Sequence, residues 1–162
     1  MTKGAIISRD NNYRYQLWRI WDDSLPKVLF IMHNPSTADA EKDDKTITRC
    51  INFAKSWGCG GLYVGNIFPF RETNPAKLKR HSIDTLEMYR YNQLHIDIMK
   101  NTCSIHVLAY GNPVDNRFTV DFITKYNDCQ CLKVLKNGNP GHPLYLSADL
   151  KPIPFSPNFP IV

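Results

Sequence analysis

Three short segments carry the residue types from which a site could be built: His33-Asn34-Pro35-Ser36-Thr37, Gly65-Asn66-Ile67-Phe68-Pro69-Phe70-Arg71 and Gly141-His142-Pro143-Leu144-Tyr145. Each follows an apolar run of strand character. A carboxamide offers a donor and an acceptor from one plane, and an imidazole can do either near neutral pH. The set Asn, Asn, His therefore suits a planar, polar ligand such as a nucleobase. Ligands of open α/β sheets bind in the crevice beyond the carboxyl ends of the strands. The three segments are accordingly expected to share one pocket.

Taken singly, these residues admit more than one use. Asn34 can close a turn and cap a helix, or orient a water or a substrate atom at a pocket floor. Asp39, Glu41, Asp43 and Asp44 follow it. Most suit a helix start, where the macrodipole favours anions, and one of them, Asp39 being nearest the motif, is the candidate general base or water holder. Asn66 interrupts an apolar stretch between Val64 and Ile67, so its amide is expected to be buried and to need partners. Those are backbone groups of the next loop or a ligand edge, and the ligand is preferred. His142 sits in the Gly- and Pro-rich stretch 137–143 after the last core strand, which brings it to the same sheet edge. Pro35, Ser36, Gly111, Asn112 and Tyr145 complete the expected substrate-binding set. His81, His95 and His106 read as surface or packing residues. A basic cluster at Lys77, Lys79, Arg80 and His81 is either a solvated helix face or a phosphate contact.

The positioning elements follow from periodicity. Ala5–Ile7 and Tyr15–Trp21 read as an opening strand pair. Val28–Met32 is continuously apolar, as a strand buried on both faces must be. Ile47, Cys50, Ile51 and Ala54 recur at helical spacing within Asp44–Trp57, and Gly58 supplies the stop. Leu62–Val64 leads into Asn66. A second helix is expected over Ile83–Lys100 with Tyr91, Leu94 and Ile98 on one stripe. A strand over Ile105–Tyr110 ends at Gly111-Asn112, and a helix over Val114–Tyr126 turns Phe118, Phe122 and Ile123 toward the sheet. Cys131–Leu135 is the fourth core strand. The prolines of Lys151–Pro160 exclude regular structure there. Alternating strands and helices predict a three-layer α/β/α domain with a central, mostly parallel four-stranded sheet plus the N-terminal strand pair. Residues 1–162 are expected to form a single domain, with 151–162 an extended tail.

Composition narrows the classes further. With 43% hydrophobic and 22% charged residues, the 162-residue chain reads as one globular domain able to bury a core without staples. The net charge of +5 is compatible with a phosphate-bearing partner and does not require one. Five cysteines without a C-x-x-C pair argue against a disulfide framework or a thiolate metal site. No metal-binding pattern, Walker loop, G-x-S-x-G elbow or G-x-G-x-x-G loop occurs, so no cofactor is expected. With neither a signal peptide nor a run of transmembrane length, the expected location is the cytoplasm of a bacterial or phage-infected host cell, with no membrane partner.

Two resemblances enter on these motifs. The stretch from Val28 to about Pro75, with Leu29-Phe30-Ile31-Met32-His33-Asn34-Pro35-Ser36-Thr37-Ala38-Asp39 and Asp43-Asp44-Lys45-Thr46-Ile47, resembles the uncharacterised bacterial and phage family known as domain of unknown function 1643. More distantly, the three segments resemble the motifs of the uracil-DNA glycosylase superfamily. His33-Asn34-Pro35-Ser36 is similar to its water-positioning loop, with Met32 where a Gly is usual. Asn66 matches the Asn that reads a flipped base. His142-Pro143-Leu144-Tyr145 is similar to its final His-Pro-Ser loop, with Leu144 at the Ser position. The Asn66–Arg71 and Asn74-Pro75 spacing is similar to the four-cysteine branch, whose cluster cysteines are absent. The resemblance implies cleavage of an N-glycosidic bond in DNA or a nucleotide. Asn66 would read the base, Phe68 or Phe70 would stack on it, and His142 would stabilise it as it leaves. Asn34 with Asp39 would hold the water, and Arg71, Lys77, Lys79 and Arg80 would hold phosphate. A non-catalytic protein that sequesters a nucleotide or modified base, and an enzyme of free nucleotides that never uses DNA, are the competing readings.

Overall fold

The computed structural model describes residues 1–74, 86–114 and 117–157. Within them run β1 (Thr2–Ile7), β2 (Arg14–Ile20), β3 (Lys27–Met32), α1 (Lys45–Ser56), β4 (Gly61–Asn66), α2 (Leu86–Thr102), β5 (Ile105–Leu108), α3 (Arg117–Lys125), β6 (Gln130–Cys131), a 3₁₀ turn (Pro143–Tyr145) and β7 (Ile153–Pro154). The expected helix start at Ile83 and the cluster Lys77, Lys79 and Arg80 lie outside the described residues.

The strands form one seven-stranded sheet in the order β1-β2-β4-β3-β5-β6-β7. The expectation of a four-stranded, mostly parallel sheet is corrected here. β4, β3, β5 and β6 do run parallel, but β1–β2, β2–β4 and β6–β7 are antiparallel pairings, so the sheet is mixed. The opening strands are no separate pair: β2 lies along the outer edge of β4, with Leu17 opposite Val64 and Ile20 opposite Gly61. A parallel sheet leaves unpaired N–H and C=O groups on its outer strands, and added antiparallel strands satisfy them.

β3 is buried on both faces, as its unbroken apolar run requires. Val28, Phe30 and Met32 join Ile47, Cys50, Phe53 and Ala54 of α1 on one side. Leu29 and Ile31 join Ile96 and Met99 of α2 and Phe118, Phe122 and Ile123 of α3 on the other. The α1 phase follows the expected spacing, and Asp44 caps it by accepting from the Ile47 N–H at 2.9 Å.

Two other expectations fail, and the α2 stripe turns to solvent. The stripe Tyr91, Leu94 and Ile98 faces outward, at 47%, 55% and 48% exposure, while Tyr89, Asn92, His95, Ile96 and Met99 turn inward. Polar Asn92 and His95 are drawn in by partners: Asn92 Nδ2 donates to the Asn66 and Ile67 carbonyls, and His95 Nδ1 pairs with Gln16. The fourth core strand is two residues long instead of five. Beyond Cys131 the chain turns back, Leu135 N–H donating to Asn139 and Gly141 N–H to Lys133. The proline-rich tail, finally, supplies β7, where Pro154 sits on an edge strand that needs no donor on its outer side. Phe155 then enters the core.

Candidate functional site

β3 and β4 end side by side, Met32 opposite Asn66, so the segments that follow both strands emerge at one sheet edge. β5 ends next to them, Leu108 opposite Ile31. After it, Gly111 takes a left-handed backbone (φ 63°) and donates to the Pro140 carbonyl at 2.8 Å. Asn112 Oδ1 accepts from Asn137 and Asn139 at 2.6 and 3.1 Å. These bonds tie the 137–142 loop to the end of β5, which delivers His142. From α1, Arg49 donates to the Pro143 and Leu146 carbonyls and fixes the turn that follows.

The result is a pocket of about 80 Å³ lined by Arg14, Met32, Asn34, Ser36, Asp44, Thr46, Ile47, Asn66 and His142. Ser36 also lines an outer cleft of about 330 Å³ with Asn11, Thr37, Arg71, Glu72 and Thr73. Asn34, Asn66 and His142, drawn from three distant segments, thus share one cavity.

Their hydrogen bonds differ in what they leave free. Asn34 Nδ2 donates to the Pro35 and Glu72 carbonyls, and its Oδ1 faces His33 Nδ1 at 3.2 Å. Since His33 Nε2 accepts from the Val114 N–H at 3.1 Å, the His33 proton sits on Nδ1 and is donated to Asn34. Asn34 is therefore a clamp between loops. His142 Nδ1 accepts from the Leu144 N–H at 3.2 Å, which places the neutral ring's proton on Nε2 as a donor.

Asn66 is 1% exposed. Its Oδ1 accepts from Arg14 Nη2 at 3.2 Å, while its Nδ2 has no partner. Arg14 is 2% exposed, gives Nη1 to the Ala38 carbonyl at 3.2 Å and leaves Nε unpartnered. Among the described residues no carboxylate lies within ion-pair distance of it. Burial pushes its pKa down to about 10, opposed by Asp44 on the same cavity.

The remaining expected residues lie elsewhere. Asp39 is not on the cavity: its Oδ1 accepts from the Glu41 and Lys42 N–H groups at 2.9 and 2.8 Å. Those bonds hold its pKa below the usual carboxylate range, the reverse of what a base needs. Asp44 is the carboxylate in the pocket. Phe68 packs edge-on to His33 at 5.5 Å and Phe70 edge-on to Tyr13 at 5.8 Å, so neither forms a stacking wall; Met32 and Ile47 are the apolar surfaces. Tyr145 is 83% exposed beside His142 and off the cavity. Pro35 is buried and lends its carbonyl to Asn34. Arg71 lines the outer cleft, Nη1 donating to Asn11 Oδ1 at 2.6 Å. Arg14 and Thr46 carried no periodic signal in the sequence, and Asp44 was visible there as one of four acidic residues behind the preferred Asp39.

His33 and His142 have pKa values lowered by burial, opposed at His33 by Asn34 and at His142 by Asp44. A histidine whose folded pKa lies below its unfolded value takes up its proton first in the unfolded chain. Stability is therefore fully present above the ordinary histidine pKa of 6.5 and falls as the pH drops below it. Thermal melting followed from pH 7.5 to 5 should show the midpoint declining in that direction. His142→Asn, which can still cap the turn, should flatten the decline; an unaltered slope would move the protonation to another group.

The fold and cavity define a mixed α/β protein with a small, donor-rich polar pocket at the ends of its parallel strands. The chain belongs to the family described as proteins of unknown function (DUF1643), whose family model matches residues 14–144. No curated protein and no solved structure matches it. Among the described residues no cluster of His, Cys, Asp or Glu could hold a metal ion, and no helix is long and apolar enough to cross a membrane.

Proposed function

We propose that the pocket receives a nucleobase and that the protein hydrolyses the N-glycosidic bond of a modified or non-standard base in DNA or a nucleotide. The observation that carries this reading is the convergence of Asn34, Asn66 and His142 with Asp44 on a cavity too small for a drug-sized ligand but suited to one flat ring. The outer cleft, which shares Ser36 with it, offers space for sugar and phosphate beside Arg71. In the reaction, water attacks the anomeric carbon and Asp44 takes its proton. The bond to the base nitrogen breaks, and the base departs with the electron pair, met by the Nε2–H of His142. A donor placed where charge develops is the electrostatic stabilisation that enzymes use most.

A second reading, sequestration of an intact base or nucleotide, is favoured by one observation. Asn34 is spent on Pro35, Glu72 and His33, so Asp44 alone is left to hold the water.

Incubation with oligonucleotides and nucleotides carrying uracil, hypoxanthine and modified pyrimidines, followed by mass spectrometry, separates the two. Asn caps helices as well as Asp does, so Asp44→Asn should keep the melting midpoint. It should also cut base release by at least about 100-fold, the usual contribution of a general base. Release that survives Asp44→Asn and His142→Ala would remove both residues from the mechanism. Unaltered ligand recovered on the protein would establish sequestration, and neither outcome with any base would end the nucleobase reading.

A further inference from the structure

β2 carries two buried arginines, and they are treated differently. Arg19 is 0% exposed and fully engaged: Nε meets Asp43 Oδ1 at 2.7 Å, and its two terminal nitrogens donate to the carbonyls of Gly4, Trp18, Asp39 and Lys42. Arg14, five residues earlier, has no such carboxylate among the described residues, and its Nε is unpartnered. Arg14 lines the cavity, and its Nη2 donates to Asn66.

Arginine has donors only. Whatever meets it must present an acceptor, so Asn66 is compelled to turn its carbonyl oxygen to Arg14 Nη2. The two ends of a carboxamide are otherwise nearly interchangeable, and its orientation follows from the network around it. With the oxygen committed, the amide nitrogen is what remains, and Asn66 Nδ2 is indeed a buried donor without a partner on a residue that lines the pocket. The main chain at that point is itself fixed, because Asn92 Nδ2 donates to the Asn66 and Ile67 carbonyls at 2.8 and 3.2 Å. The amide cannot easily escape its orientation by moving the strand end.

We infer that Arg14 is the specificity-determining residue of the pocket: by holding the Asn66 oxygen it makes Asn66 a donor, so the site accepts a ring carbonyl and rejects a ring amino group. This rests on the nucleobase reading and adds to it a positioning residue outside the three motifs. Arg14 reaches the ligand's edge through Asn66. A purely structural role would alter stability but not the preference between two ligands of the same shape.

Uridine and cytidine monophosphates differ along one ring edge, a carbonyl beside an N–H against an amino group beside a bare ring nitrogen, and titration calorimetry with both reads the preference directly. The intact protein should bind the uridine nucleotide at least about tenfold more tightly, since a buried donor left facing an amino group is unmatched. In Arg14→Gln the side chain can present either end to Asn66, the amide is free to flip, and the ratio should fall to near one. Arg14→Lys still offers only donors and should keep most of it. Melting curves report folding, and if Arg14→Gln does not fold, Arg14→Lys carries the test, a collapsed ratio there overturning the inference. A preserved ratio in folded Arg14→Gln overturns it, as does equal binding of both nucleotides by the unsubstituted protein. Binding of neither that pair, nor inosine and adenosine monophosphates, nor oligonucleotides carrying the same bases would instead sink the nucleobase reading beneath it.

Discussion

Replacing Arg19 by methionine should lower the melting midpoint by roughly 6–12 °C, the largest loss expected from a single substitution outside the apolar core. The side chain is wholly buried and makes an ion pair with Asp43 and hydrogen bonds to four carbonyls. Removing one partner of a buried pair costs about 3–5 kcal/mol. Asp43 keeps some contact with water and with Lys3 at 3.7 Å, so the lower end applies, about 3 kcal/mol. For a chain of this size each kcal/mol shifts the midpoint by about 2–4 °C. The effect should also be local. The Asp39 and Lys42 carbonyls belong to the loop that leads to Asp44, and no apolar residue other than Ala38 anchors that loop in the core. Calorimetric melting tests the first claim, and amide exchange across 38–44 tests the second. A midpoint within about 2 °C of the parent would show that the carbonyls find water at little cost.

The parts of this fold written in side-chain pattern were legible, and those written in backbone pairing were not. Val28–Met32 shows its burial on two faces because every residue in it is apolar, and Ile47, Cys50, Ile51 and Ala54 mark the α1 face at helical spacing. Nothing in Arg14–Ile20 states that it pairs with β4, because edge pairing satisfies main-chain groups whatever the side chains are. On α2 the apolar stripe lies on the solvent side, since Asn92 and His95 have specific buried partners that hydrophobicity does not reveal. In the site the same division holds. Asn34, Asn66 and His142 were findable as polar residues just beyond apolar runs. Arg14 was not, because a buried, unpaired arginine reads in sequence like any solvated one. For the same reason Asp39 was preferred to Asp44: proximity along the chain stood in for proximity in space.

Asn66→Asp should keep the fold and weaken ligand binding by roughly 100-fold, a combination that alanine cannot deliver. Asn66→Ala removes the acceptor from Arg14 Nη2 and leaves a buried charged donor unmatched, a destabilisation of about 1–3 kcal/mol that would blur any loss of affinity. The aspartate change does the opposite. It places a carboxylate where the amide oxygen accepts from Arg14, giving that guanidinium the counter-charge it lacks among the described residues. A buried pair in good geometry roughly balances its own desolvation, so the melting midpoint at pH 7 should match or exceed the parent's. The Nδ2 donor disappears at the same time, and an oxygen takes its place against the acceptor edge of the ligand. Loss of one hydrogen bond plus the burial of two facing acceptors amounts to about 3 kcal/mol, or a Kd raised by roughly 100-fold. Titration with whichever nucleotide the parent retains, run beside thermal melting, reads both effects on one sample. Lost binding with an intact midpoint would assign the reading of the ligand to the Asn66 amide nitrogen. Retained binding would make Asn66 a core amide held by Arg14 at its side chain and by Asn92 at its main chain, and would move recognition to His142, Asp44 and the N-terminal turn of α1.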